Sequence, residues 1–148
     1  MKYIIASDIH GSAYWCEKLL TFAKRENVDK LLCVRGNCDS EVDQMVLDFP
    51  MMDDYKALPL GERTLYLTHG HLHTAEKPLI ALDSGDLQVN GHFHVPTFKR
   101  LENGVLYANC GSVGLPKDGS PHSCMLVTET ELFWIDLSTE TPFHKQKL

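Results

Sequence analysis

Tyr3-Ile4-Ile5-Ala6-Ser7-Asp8-Ile9-His10-Gly11 joins an apolar run to a carboxylate, an imidazole and a glycine. The four consecutive apolar residues read as a buried strand. Ser12 then caps a helix in which Trp15, Cys16, Leu19, Leu20, Phe22 and Ala23 recur at helical spacing, with Asn27 as its stop. Glu17, Lys18, Lys24 and Arg25 lie mostly off that face. A strand that hands over to a helix puts Asp8 and His10 at the usual ligand edge of an α/β sheet.

The same hand-over recurs along the chain. Leu31-Leu32-Cys33-Val34 reads as a second buried strand and ends in Arg35-Gly36-Asn37-Cys38-Asp39. Ser40-Glu41-Val42-Asp43 matches a capping box, so a short helix is expected over 40–49, closed by Pro50. Thr64-Leu65-Tyr66-Leu67-Thr68 reads as a strand that breaks into His69-Gly70-His71-Leu72-His73. A helical stretch is expected over 79–82, and Leu87-Gln88-Val89-Asn90 leads into Gly91-His92-Phe93-His94. Beyond this the chain reads as β-rich. Asn103-Gly104 is a turn that tight hairpins prefer, with strands expected over 97–101 and 105–109. A further pair is expected over 123–127 and 132–137, and the polar tail from Ser138 is expected to fray. No repeat or linker composition divides the chain, so 1–148 reads as one domain.

Composition narrows the function. With 148 residues, 43% hydrophobic and 23% charged, the chain is long enough to bury a core without disulfide or metal staples. Its net charge of -6 is spread out, and no basic stripe exists for counterion-releasing contact with a long nucleic acid. A short phosphodiester remains compatible, because a bound metal supplies local positive charge to an acidic protein. Five scattered cysteines with no CxxC pair indicate neither a zinc knuckle nor a redox dithiol. The apolar start is too short for a signal-peptide core, and no run approaches a membrane span. A reduced, cytoplasmic protein with no membrane partner is the expectation.

Four strand ends therefore carry metal-capable side chains: Asp8 and His10, then Asn37, then His69, then His92 and His94. A carboxylate, an amide oxygen and several imidazoles suit borderline dications such as manganese, iron, nickel or zinc. Gly11, Gly36, Gly70 and Gly91 adjoin the clusters and let the backbone turn sharply there. Taken singly, Asp-x-His is a common tripeptide, Gly-Asn is more often a turn, and alternating histidines occur on solvated strands. Their joint occurrence, each after an apolar run, is what points to a metal centre. His122 and His144 stand in polar, turn-like contexts and read as surface residues.

In order, Ser7-Asp8-Ile9-His10-Gly11, Arg35-Gly36-Asn37-Cys38-Asp39, Thr68-His69-Gly70-His71, Gly91-His92-Phe93-His94 and Asn109-Cys110-Gly111-Ser112-Val113 resemble calcineurin-like metallophosphoesterases. Val34-Arg35-Gly36-Asn37-Cys38-Asp39-Ser40-Glu41-Val42-Asp43-Gln44-Met45 is close to the YfcE-type phosphodiesterase subgroup. The resemblance runs from Lys2 to about Asp136. It implies a four-layer αββα sandwich and hydrolysis of small phosphodiesters by metal-activated water. Asp8, His10 and His94 would hold one ion, most naturally Mn2+, with Ni2+, Fe2+ or Zn2+ as alternatives. Asn37, His69 and His92 would hold a second, and Asp8, His10, Asn37 and His69 would carry the catalysis.

One expected part is missing. Between the first helix and the Gly-Asn motif, the family carries a Gly-Asp segment and a further helix, whose aspartate bridges the two ions. Here Lys30-Leu31-Leu32-Cys33 runs straight into Val34-Arg35-Gly36-Asn37, so the sandwich is expected to be shortened by one strand-helix unit. A homo-oligomer that covers the resulting gap fits the same loss. Two close dications need anionic ligands to offset their repulsion, and the set contains a single carboxylate, Asp8. One firm and one weak site are therefore expected, with Asp39, Asp83 or Asp86 as candidate replacements. Cys38 stands where many relatives have a histidine that protonates the leaving group, which favours good leaving groups. The alternative is a weakened or inactive scaffold that binds protein partners, as the retromer scaffold subunit of this fold does.

Overall fold

A computed structural model describes residues 1–9, 12–34, 55–69, 78 and 80–148. The first strand, β1 (Lys2–Ser7), is followed by α1 (Ala13–Glu26) and β2 (Lys30–Val34). After them come β3 (Tyr55–Leu60), β4 (Arg63–Thr68), β5 (Leu87–Asn90), β6 (Thr97–Arg100) and β7 (Leu106–Asn109). The chain ends with β8 (Ser123–Thr128), β9 (Glu131–Asp136) and β10 (Thr141–Lys147).

Alternation along β1 explains the apolar opening run. Tyr3 and Ile5 point into the core between two sheets, whereas Ile4 and Ala6 pack against α1 through Cys16, Leu19 and Phe22. Both faces are buried, so every position is apolar. The sheet that contains β1 has the order β10-β9-β8-β1-β2, with β1 and β2 parallel. The other has the order β3-β4-β5-β7-β6, with β4, β5 and β7 parallel to one another. Leu65, Leu67, Leu87 and Val89 face the first sheet and meet Met125, Val127 and Trp134. The result is a two-sheet sandwich with α1 on one outside face.

Helix α1 begins where expected, after Ser12, although that side chain makes no capping bond. It ends at Asn27, whose left-handed backbone (φ 49°) returns an N–H to the Lys24 carbonyl. Three local expectations change or move out of view. The helix expected over 40–49 lies outside the described residues, as does Leu79. Ile80, Ala81 and Leu82 are not helical. Pro78 precedes them, and the Asp83–Asp86 turn, in which the Asp86 N–H meets the Asp83 carbonyl, leaves no length for a helix. The tail from Ser138 does not fray: β10 pairs antiparallel with β9. Its side chains are almost all exposed, so it carries no apolar alternation to read.

Strand β3 went unseen for a related reason. Pro59 argues against a central strand, but β3 is an edge strand joined to β4 by the two-residue turn Gly61-Glu62. Gly61 has φ 62°, as such a turn requires.

Candidate functional site

The carboxyl ends of β1, β4 and β5 run on into Asp8, His69 and Gly91-His92, and the parallel arrangement brings them to one edge. The Gly91 N–H donates to the His69 carbonyl at 3.0 Å, stitching two of these ends together. Gly91 has no room for a side chain. A Cβ there would lie 2.8 Å from Asp8 Oδ2 and closer still to Ser7 Oγ. The glycine lets β5 approach β1 closely enough for the two strand ends to share a site.

Asp8 is the centre of what is gathered. Its side chain is 1% exposed, and Oδ1 lies 3.5 Å from His69 Nε2 and 3.3 Å from His94 Nε2. Oδ2 accepts the His92 backbone N–H at 2.9 Å. The His92 ring stands edge-on to His69, with centroids 5.1 Å apart. The structure thus brings together Asp8, His69, His92 and His94. His10 and Asn37, with His71, His73, Cys38 and Asp39, lie outside the described residues.

The ring protons follow from the neighbours. His94 Nδ1 faces the Leu115 carbonyl, which only accepts, so Nδ1 carries a hydrogen and donates it. His69 Nδ1 lies 3.2 Å from Ser7 Oγ, whose own hydroxyl is directed at the Val34 carbonyl. In the neutral His94 ring Nε2 is then an acceptor, and it faces Asp8 Oδ1, the same carboxylate oxygen that His69 Nε2 approaches. Acceptor against acceptor is repulsive unless a cation lies between them, whether a proton or a metal ion. An imidazole that donates through one nitrogen to a carbonyl or hydroxyl and offers the other is arranged as metal ligands usually are.

A divalent ion fits this donor chemistry. Donors bonded to one ion at about 2.0–2.2 Å sit about 3–3.5 Å from each other, and Asp8 Oδ1 and His94 Nε2 are 3.3 Å apart. Among the described residues no group of three or more His, Cys, Asp or Glu side chains could hold an ion. The donors converge on Asp8 in pairs, and His10 and Asn37 would have to complete the shell.

Backbone strain accompanies the site. Asp8, His92 and His94 have φ of 55°, 67° and 65°, a region that costs a non-glycine residue about 1–2 kcal/mol. Residues to which the sequence reading gave no role hold these conformations. Buried Ser112 donates Oγ–H to the Asp8 carbonyl at 2.8 Å and accepts the Leu115 N–H at 2.9 Å. Gly114 N–H reaches the same Asp8 carbonyl at 3.0 Å, and a Cβ on Gly114 would strike the Ile9 carbonyl. Asn109 Nδ2 donates to the Gly91 carbonyl at 2.6 Å, while its Oδ1 accepts the Gly111 N–H. Asn109-Cys110-Gly111-Ser112 follows the parallel strand β7, and that position at a strand end was the available signal.

Asp83 and Asp86 do not replace the missing bridging carboxylate. They precede β5, at the opposite end of the strand from His92, and the Asp86 carboxylate is occupied by the N–H groups of Thr64 and Asp83. Cys110 is buried near the site. Burial pushes its thiol well above the usual range, reinforced by the Asp8 charge and Cys124, and burial pushes Cys124 up as well. Cys16, Cys33, Cys110 and Cys124 are all free thiols. His144 is exposed as expected, but His122 is half-buried, stacked on Trp15 at 3.8 Å with Nδ1 on the Val113 carbonyl.

Residues 16–131 match the calcineurin-like phosphoesterase superfamily domain. The chain belongs to that superfamily. It is 34% identical over 176 aligned residues to phosphodiesterase YfcE of Escherichia coli, covering 95% of each chain. The solved structure of Yfce, a phosphoesterase from E. coli, superposes with a TM-score of 0.84 at 31% identity, covering 99% of this chain and 98% of the other. A probable metallophosphoesterase of Bacillus subtilis, YsnB, is 30% identical over 154 residues, covering 86% of this chain and 84% of YsnB. The alignment with YfcE is longer than the 148 residues available here, so the relative carries residues that have no counterpart in this chain. No helix among the described residues is long and apolar enough to cross a membrane.

Proposed function

We propose that this member of the superfamily is a divalent-metal-dependent phosphodiesterase acting on small diesters, working in the cytoplasm. The observation that carries the reading is the convergence of two imidazole Nε2 atoms, from His69 and His94, on one buried carboxylate oxygen, Asp8 Oδ1. Asp8, His10 and His94 would hold the firmer ion, with manganese the best match, and Asn37, His69 and His92 the weaker. A divalent ion bound there supplies Lewis acidity to a phosphoryl oxygen and acidifies water at neutral pH. The protein's own part is positional. Leu115 fixes the His94 tautomer, Ser7 Oγ positions the His69 ring, Ser112 and Gly114 hold the Asp8 backbone, and His92 N–H orients the carboxylate. In the overall reaction one phosphorus–oxygen ester bond breaks and the oxygen of water takes its place on phosphorus. One proton of that water goes to the departing alcohol, and the other stays with the monoester or solvent.

The competing reading is a weakened or inactive fold that binds protein partners. It is favoured by the residues of YfcE absent here and by the placement of Asp83 and Asp86 far from the site. The two separate in one experiment: strip the protein of metal, restore manganese, and follow hydrolysis of bis-p-nitrophenyl phosphate beside an Asp8→Ala/His92→Ala variant. Manganese-dependent turnover absent from the variant supports the enzyme. Turnover no greater than the variant's, in folded protein, sinks it. Metal analysis should find close to one tightly held ion per chain, and two would refute the weak second site.

A further inference from the structure

Phe93 is 63% exposed, although it lies between two histidines of the site. The residues on either side of it both have left-handed backbones, so the main chain turns back on itself and leaves that ring outside. The ring is nonetheless coupled to the centre. His69, against Asp8, stands edge-on to His92 at 5.1 Å, and His92 stands edge-on to Phe93 at 5.2 Å. Leu115, whose carbonyl accepts from His94, is itself 50% exposed. A single exposed apolar side chain requires no explanation. Here Phe93 also makes ring contact with the site histidine His92, and the backbone carbonyl of Leu115 holds His94, which places that residue beside the site. A polar centre rimmed by apolar surface is the make-up of a small-molecule site.

We infer that Phe93 is a specificity-determining residue that stacks on a flat aromatic arm of the phosphodiester, the arm that stays on phosphorus, with Leu115 as apolar rim beside His94. This rests on the phosphodiesterase reading and adds the substrate class. Alternatives elsewhere on the molecule are weaker. The cleft lined by Glu62, Asp83 and Glu129 has its buried carboxylate, Asp86, already bonded to backbone. The groove among Pro96, Phe98, Trp134 and Phe143 has nothing to say what fills it.

The test uses two diesters with the same p-nitrophenyl leaving group, one retaining phenyl and the other methyl. An aromatic contact of ordinary strength predicts a kcat/KM about three- to tenfold higher for the phenyl diester. Phe93→Ala should bring that ratio close to one, and Phe93→Trp should keep it. Calorimetry with phenylphosphonate and methylphosphonate, which are not hydrolysed, reads the same preference without turnover. If neither diester reacts but phenylphosphonate binds more tightly through Phe93, the inference stands and the enzyme reading falls. Equal affinities, no binding of either phosphonate, or a preference that survives in Phe93→Ala would overturn the inference.

Discussion

Replacing Ser112 with alanine removes one oxygen from a buried position, and its cost can be worked out from that atom's partners. The hydroxyl donates to the Asp8 carbonyl and accepts from the Leu115 N–H, so two hydrogen bonds disappear. Each contributes about 1 kcal/mol net, and a stranded N–H adds about 1 kcal/mol more. The Asp8 carbonyl keeps its bond from Gly114, which limits the loss there. A destabilisation of about 2–3 kcal/mol is expected, read as a lower midpoint in urea with an unchanged slope. The second consequence concerns function. Leu115 also supplies the carbonyl that orients His94, so loosening Leu115 releases a proposed ligand. Loss of such an outer support costs about 10–100-fold in metal affinity. Val113→Ala is the control. It removes methyl groups from the core cluster that includes Ile9 and Leu19 at a cost of about 1–3 kcal/mol but leaves both Ser112 hydroxyl bonds intact, so its metal affinity should hold. A Ser112→Ala protein within about 0.5 kcal/mol of wild type, or one that binds manganese equally well, would refute the reasoning.

Two further outcomes follow from the packing. Gly91→Ala forces a methyl group against Ser7 and Asp8, so it should push the carboxylate aside and lower manganese affinity to that of Asp8→Ala. Full metal binding by this variant in calorimetry would mean that β1 and β5 can separate at no cost. Cys110 and Cys124 have thiols raised by burial in the folded state. The unfolded chain therefore releases these protons first, near pH 8.5, and stability should fall as pH rises above that value. The slope approaches about 1.4 kcal/mol per pH unit for each thiol. Urea titrations between pH 8 and 10 on wild type and Cys124→Ala measure it, and equal slopes in the two proteins would contradict the assignment.

Strands buried on both faces were legible because they are short, largely apolar runs, and β1, β2, β4 and β5 stand within a residue of where those runs place them. Edge strands were not. β10 exposes nearly every side chain and β3 contains a proline, so their identity lies in backbone pairing with a neighbour far or near in the chain. The site divides in the same way. Strand-end residues could be read because their side chains differ sharply from the apolar run before them, and Asp8, His69, His92 and His94 do meet. The partners that aim them were signalled only by their place at the end of β7, and their bonds could not be read. A serine in Asn109-Cys110-Gly111-Ser112 gives no hint that it will bond to a carbonyl 104 residues away, because that contact exists only once both sheets are assembled.

The weight of the competing readings turns on what the strained backbone costs. Asp8, His92 and His94 together carry a penalty of several kcal/mol, at about 1–2 kcal/mol each. The whole domain is expected to be stable by only about 5–15 kcal/mol, so this is not a small fraction. Glycine at any of the three positions would relieve the strain without disturbing the sheets. Instead the strain is held in place by Ser112, Gly114 and the Asp8 carboxylate itself, all bonded to or through these residues. Such over-determined strain is characteristic of functional sites. A surface used only for protein partners has no use for a buried carboxylate faced by two imidazoles, whatever happened to the bridging segment. The geometry at Asp8 therefore favours a centre built to hold a cation, and leaves the lost unit to set how strongly and how many.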